Sequence, residues 1–196
     1  MINFNITGQH QDIFFTADTH FSHANIIKHC NRPWVNIDEH NEKLIEKWNN
    51  IVSKKSMVYL LGDFAMIPKD PNIPRMKLYR KLRFRLNGKI ILIKGNHDHM
   101  SQEMYDCFTK VYDFGTDIKI DKIPITLCHY PMRSWNKSCH GAGHLFGHVH
   151  GRLEKVNTGM SFDVGVDVSE WNYSPVPWEL VQNKMKEKYE NIKEKS

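Results

Sequence analysis

The chain is predicted to fold as an α/β domain with mixed rather than purely parallel sheets. Three short apolar runs alternate with amphipathic helical stretches, and hairpin-like runs follow them. A third observation locates function: the apolar runs end abruptly in Asp, Asn or His, which suits buried strands that deliver polar side chains to one edge. At 196 residues the chain fits one domain over 1–196, with a core at about 11–180 and a charged C-terminal tail.

Ile13 to Ala17 (IFFTA) is the first run, and it stops at Asp18-Thr19-His20. Asn36 followed by Glu39 resembles a capping box, after which Leu44, Ile45, Trp48, Ile51 and Val52 share one face of a helix. Met57 to Leu61 (MVYLL) is the second run and ends in Gly62-Asp63. From Arg75 to Leu86, Leu78, Tyr79, Leu82 and Leu86 form an apolar helical face, with Arg75, Lys77, Arg80, Lys81, Arg83 and Arg85 around the rest. Asn87-Gly88 stops this helix, and Lys89 to Lys94 (KIILIK) is the third run, ending in Gly95-Asn96-His97-Asp98.

A short helix is expected near Gln102 to Phe108. Thr116–Ile120 and Ile123–Cys128 then flank Asp121-Lys122, which can turn a hairpin. His129 follows directly, and a Gly/His-rich stretch leads to Gly147-His148-Val149-His150. Ser161 to Val168 reads as a late strand, and Trp178 to Lys188 as a polar terminal helix before a frayed tail.

Composition narrows the function classes. Hydrophobic content of 40% with 25% charged residues is globular, and no apolar run approaches the roughly 18 residues that would span a bilayer. Met1 to Phe15 carries no secretory signal pattern, so a cytoplasmic location with no membrane partner is expected. Cys30, Cys107, Cys128 and Cys139 form no Cys-x-x-Cys pair and read as reduced thiols. The net charge of +5 favours anionic substrates without naming one.

Twelve histidines carry more information, since imidazole is the commonest transition-metal ligand. Five segments (Asp18-x-His20, Gly62-Asp63, Gly95-Asn96-His97-Asp98, His129 and Gly147-His148-x-His150) place Asp, Asn or His just after an apolar run. Nitrogen and oxygen ligands without thiolate suit Mn²⁺, Fe, Zn²⁺ or Ni²⁺. In an extended segment residues i and i+2 share a face, so Asp18 with His20, and His148 with His150, can each converge. Asp18, His20, Asp63, Asn96, His129, His148 and His150 are too many ligands for one ion and about right for two. Asp63 is then a natural bridge, and such a pair of ions hydrolyses phosphate esters.

In that order, DxH, GD, GNHD, H and GHxH resemble the calcineurin-like metallophosphoesterase superfamily over residues 18–150. The strings FTADTHFSHANII, NRPW, VYLLGDF and GVDV…YSPV are similar to its small bacterial and phage branch. The resemblance implies a sandwich of two mixed β-sheets flanked by helices, with the metals at strand ends. It implies one ion on Asp18, His20 and His150, another on Asn96, His129 and His148, and Asp63 bridging, with Mn²⁺ favoured. It further implies that His97 contacts the phosphate and assists the leaving group, with Asp98 orienting its ring. The superfamily's frequent GDxxR form is broken here by Met66, so His23, Asn25 and Arg32 are the expected phosphate contacts.

The expected function is hydrolysis of a phosphodiester by a metal-bridging hydroxide, with a nucleotide or cyclic nucleotide among the candidate substrates. A phosphomonoesterase, a nuclease and a non-catalytic scaffold stay open. Nucleic acid is the less favoured partner, because the basic residues between Arg75 and Arg85 read as a solvated helix face. The oligomeric state is not legible. His10, His29, His40, His99, His140 and His144 read as surface or hydrogen-bonded structural residues. Asp163 and Asp167 could extend the site, but read rather as lying on or beside the late strand, with Phe162, Val164, Val166 and Val168 pointing the other way.

Overall fold

The three apolar runs form β1 (Ile13–Thr16), β2 (Met57–Leu61) and β3 (Lys89–Ile93), paired in parallel. The computed structural model describes residues 12–69, 71–99, 101–153 and 159–194; His10, given a structural reading above, lies outside them. Two short strands complete this sheet: β4 (Lys110–Tyr112), parallel to β3, and β9 (Val176–Pro177), antiparallel to β1. The order is β4-β3-β2-β1-β9. A second sheet, β5-β6-β7-β8, contains β5 (Gly115–Ile120), β6 (Ile123–Cys128), β7 (Gly143–Phe146) and β8 (Ser161–Asp163). Here β5–β6 is antiparallel and the other pairs are parallel. The fold is therefore α/β, with two mixed sheets flanked by helices.

The strands of the first sheet read as continuous apolar runs because both their faces are buried. Phe14, Val58, Leu60, Ile90 and Leu92 pack in one core with Leu44, Ile45 and Trp48 of α2 (Ile37–Ile51) and Tyr79 and Leu82 of α3 (Arg75–Arg83). Phe15, Leu61 and Ile93, one residue on, face a second core with Ile125, Leu127, Leu145 and Phe162 of the other sheet. The terminal helix α5 (Trp178–Glu194) adds Trp178, Val181 and Met185 to that inter-sheet core.

Several expectations need correction. Ile51 is 43% exposed, so the buried face of α2 ends at Trp48 and the chain's next apolar anchor is Val52 beyond it. Arg83 is buried rather than solvated: its guanidinium donates to Leu86 O and lies over the Phe108 ring. The late strand stops at Asp163, and the chain then leaves the ladder to bridge Gly165 to Ala17 of the first sheet. The terminal helix continues to Glu194 and is amphipathic, not a polar helix before a frayed tail. The capping box is half formed as expected: Glu39 N donates to Asn36 Oδ1, while the Glu39 carboxylate accepts from Val35 N instead of Asn36 N. The hairpin turn forms at Asp121-Lys122 with both residues at positive φ, the signature of a type I′ turn. Among the described residues no helix is long and apolar enough to cross a membrane.

Candidate metal centre

Parallel register brings the ends of β1, β2 and β3 to one edge. Thr16 pairs with Leu60 and Leu61 with Ile93, so Asp18, Asp63 and Asn96 emerge side by side. His129 follows β6, and Gly147-His148-Val149-His150 follows β7 on the facing sheet. Five of these residues are left-handed: Asp18 (φ 57°), His20 (47°), Asp63 (54°), His148 (69°) and His150 (51°). Such a conformation costs an L-residue roughly 1–2 kcal/mol, and its clustering marks a functional edge. It also revises the argument from extended spacing. The chain coils sharply at these positions, so His148 and His150 point to different clusters while Asp18 and His20 meet.

Asp18, His20 and His150 offer ligand atoms that lie within 4.8 Å of one another. Asp18 Oδ2 accepts from His148 N at 2.8 Å, which leaves Oδ1, fully buried, with no hydrogen-bond partner; His20 Nε2 is likewise buried and unpaired. The second cluster centres on Asn96 Oδ1, 3.0 Å from both His129 Nε2 and His148 Nδ1. His129 Nδ1–H donates to Leu61 O at 2.8 Å, so the neutral ring presents an Nε2 lone pair to an oxygen lone pair. Asp63 stands between the clusters: its Oδ2 is 3.5 Å from His20 Nε2 and 3.6 Å from His129 Nε2, while its Oδ1 accepts from His97 N at 2.9 Å. Gly62 (φ 86°) is required here, because a Cβ on it would collide with His129 Nδ1.

The donor set fits divalent cations. Burial pushes the Asp18 carboxyl well above the usual range, and the neighbouring Asp163, Asp63 and Asp167 add to this against the opposing pull of His150. Burial also raises Asp63 and lowers His20, His129 and His148. For His150 burial works the other way, but Asp167, Cys30 and Asp18 outweigh it and push its pKa up to about 10. Buried carboxylates crowd together with lone pairs facing lone pairs, the electrostatic signature of a site built around positive charge.

His97 is exposed and sits at the rim, its ring 5.4 Å from that of His20 and 6.2 Å from that of His23. Asp98 does not orient it. The Asp98 carboxylate is buried and accepts from the backbone N–H groups of Asp63 (2.7 Å), Phe64 (3.0 Å) and Gly95 (2.8 Å), tying two ligand loops together. His23 is half-buried beside His20, with an unpaired Nδ1; Asn25 is exposed on α1 (Ala24–His29).

Arg32 is not free to bind phosphate. Its guanidinium donates to both Asp167 oxygens (2.7 Å each), to Thr19 O (3.0 Å) and to Asp18 O (2.7 Å), and its Nη1 lies 2.6 Å from His40 Nε2, so all five N–H groups are engaged. Asp167 in turn accepts from His150 Nδ1 at 2.6 Å, a carboxylate–histidine support of the kind that orients metal-binding imidazoles. Asp167 therefore belongs to the site, contrary to its reading as a plain strand residue. Cys30 also enters, its thiol close to His150 and Asp167. One signal for Asp167 stands in the sequence: a carboxylate among Val164, Val166 and Val168 must find a buried partner. Asp163 is buried as well, accepting from Gly151 N and Gly165 N. Of the histidines read as structural, His40 and His144 are buried and hydrogen-bonded, His144 between Met132 N and Thr126 O.

Among curated proteins the chain is 35% identical over 173 residues to the uncharacterized protein MJ1445 of Methanocaldococcus jannaschii, covering 86% of this chain and 88% of that one. The chain belongs to the family of MJ1445. It is also 24% identical over 187 residues to the gene 66 protein of Mycobacterium phage D29, covering 82% and 89% of the two chains. Among solved structures, the AQ665 protein of Aquifex aeolicus overlays with a TM-score of 0.65 at 24% identity, over 87% of this chain and 97% of that one; this likeness is one of fold. No family model matches.

Proposed function

We propose that the chain is a phosphoesterase of the calcineurin-like metallophosphoesterase kind, dependent on two divalent ions and selective for phosphodiesters. The observation that carries this reading is the position of Asp63 Oδ2, some 3.5 Å from a ligand nitrogen of each cluster. One ion would be held by Asp18, His20 and His150, the other by Asn96, His129 and His148, with Asp63 shared. When bound, such a pair clamps phosphoryl oxygens and makes a water nucleophilic near neutral pH, with Mn²⁺ the favoured metal.

The protein's own groups divide the remaining work. Asp98 fixes the loops carrying Asp63 and Asn96, and the Arg32–Asp167 pair holds the His150 ring. His97 stands exposed where a substrate would enter, and it donates a proton to the departing ester oxygen. His23, with its unpaired Nδ1 beside His20, is the nearest further phosphate contact. Charge supports diester selectivity. The Arg32 donors are all engaged, and Met66 occupies the place where the superfamily often carries arginine, so neither position offers a guanidinium to the second negative charge of a monoester, and the monoester's electrostatic advantage over a diester narrows.

The test is hydrolysis of bis(p-nitrophenyl) phosphate and p-nitrophenyl phosphate by metal-free and Mn²⁺-reconstituted protein. Mn²⁺-dependent turnover with the higher kcat/KM on the diester is expected. Preference for the monoester would overturn diester selectivity, and no turnover of either ester with metal bound would leave a highly selective enzyme or a binding scaffold.

A further inference from the structure

An aromatic tier runs outward from the second cluster. The Tyr130 ring meets His148 edge-on, with centroids 4.8 Å apart and planes at 65°, and meets His129 at 4.9 Å and 75°. Beyond it lies the Phe114 ring, its centroid 6.5 Å from that of Tyr130 and the two planes 30° apart. Phe114 sits where the chain crosses from β4 of one sheet to β5 of the other, one residue before the paired Gly115 and Cys128, so strand register holds it opposite the ligand-bearing end of β6. It is 62% exposed. Single exposed apolar residues are ordinary. This one differs because its ring continues a tier that begins at two metal-ligand histidines. Phe84, equally exposed, caps the C-terminal end of α3 under Arg80 with no such connection.

We propose that Tyr130 and Phe114 form a stacking platform for an aromatic base, so that the diester acted on at this centre is a nucleoside ester. The inference rests on the phosphoesterase reading and adds a substrate class to it. A phosphate at the Asn96–His129–His148 cluster places its ester substituent beside Tyr130, and an open platform offers a base its flat face without hydrogen bonds to its edge. Recognition is therefore base-tolerant. Stacking of this kind is worth about 1–3 kcal/mol per base.

The experiment compares two esters that release the same phenol, thymidine 5′-(p-nitrophenyl phosphate) and ethyl p-nitrophenyl phosphate, with Mn²⁺-loaded protein. Wild type is expected to favour the nucleoside ester in kcat/KM by about tenfold or more. Phe114→Ala and Tyr130→Leu are expected to reduce that ratio about tenfold, through KM, while Phe84→Ala leaves the ratio as in wild type. Equal kcat/KM for the two esters in wild type, or a ratio unmoved by both platform variants, would overturn the platform. If neither ester is cleaved, the hydrolase reading fails by itself. The platform is then judged by fluorescence of 2-aminopurine riboside 5′-monophosphate: quenching by wild type that Phe114→Ala loses supports it, and no quenching by wild type overturns it.

Discussion

At the scale of single residues, the least expected finding is that Arg32 is a buried strut. It joins Asp167, Thr19, Asp18 and His40, and through Asp167 it fixes the ring of His150. Arg32→Lys keeps a charge but cannot reproduce the fork, so metal affinity should fall about 10- to 100-fold, measured by chelator competition. Unchanged affinity would show that the strut is dispensable. His40 supplies a pH test away from the ligands. Burial, and then the Arg32 cation, lower its pKa from 6.5 to about 4. Between those values the unfolded chain binds a proton that the folded chain refuses, so stability rises with pH across this window and is lost as pH falls through it, by at most about 3 kcal/mol. Urea midpoints of metal-free protein from pH 4 to 6.5 should climb, and His40→Gln should make the climb shallower, the remainder coming from the other buried histidines. An equal slope in the variant would contradict the assignment. His97→Ala should lower kcat by about a hundredfold or more with metal binding retained. Full activity in that variant would remove His97 from the chemistry.

At the scale of elements, β1, β2, β3, the β5–β6 hairpin and α2 were legible because each has a periodicity or turn chemistry of its own. β4 and β9 span only Lys110–Tyr112 and Val176–Pro177, too short for a pattern to rise above neighbouring loops, while β7 (Gly143–Phe146), as long as β1, opens with Gly-His inside a Gly/His-rich stretch and carries no continuous apolar run. They exist because a sheet edge or a facing sheet recruits them. The buried Arg83 and exposed Ile51 were misread for a related reason: helical periodicity gives a face, and the neighbour decides how wide that face is. Trp48, 2% exposed in the core under β2, should cost about 3–5 kcal/mol as Trp48→Ala, whereas Ile51→Gln should stay within about 0.5 kcal/mol in urea unfolding. A large loss at Ile51 would mean that α2 is covered on its outer side.

At the scale of the whole molecule, the centre is a meeting of strand ends from both sheets. The candidate ligand types can be read in the sequence because Asp, Asn or His repeatedly follows an apolar run. Their grouping could not be read from spacing, since the chain coils through left-handed turns at these positions: Asp18 and His20 meet, whereas His148 and His150, with the same spacing, go to different clusters. The supporting contacts were hidden for another reason. Arg32 and Asp167 are 135 residues apart, and no local pattern reports a partner at that distance. Because both sheets contribute to the proposed ligand set, metal binding should stabilise the entire fold. At about a hundredfold over Kd the gain is roughly 2.7 kcal/mol, visible as a rise in Tm that Asp63→Asn diminishes.

The central claim is that Asp63 joins two ion sites, and the count of Mn²⁺ bound per metal-free chain at equilibrium tests it most directly. Wild type is predicted to bind two ions and Asp63→Asn one or none at the same free Mn²⁺. A single ion in wild type, or two retained in the variant, would contradict the account.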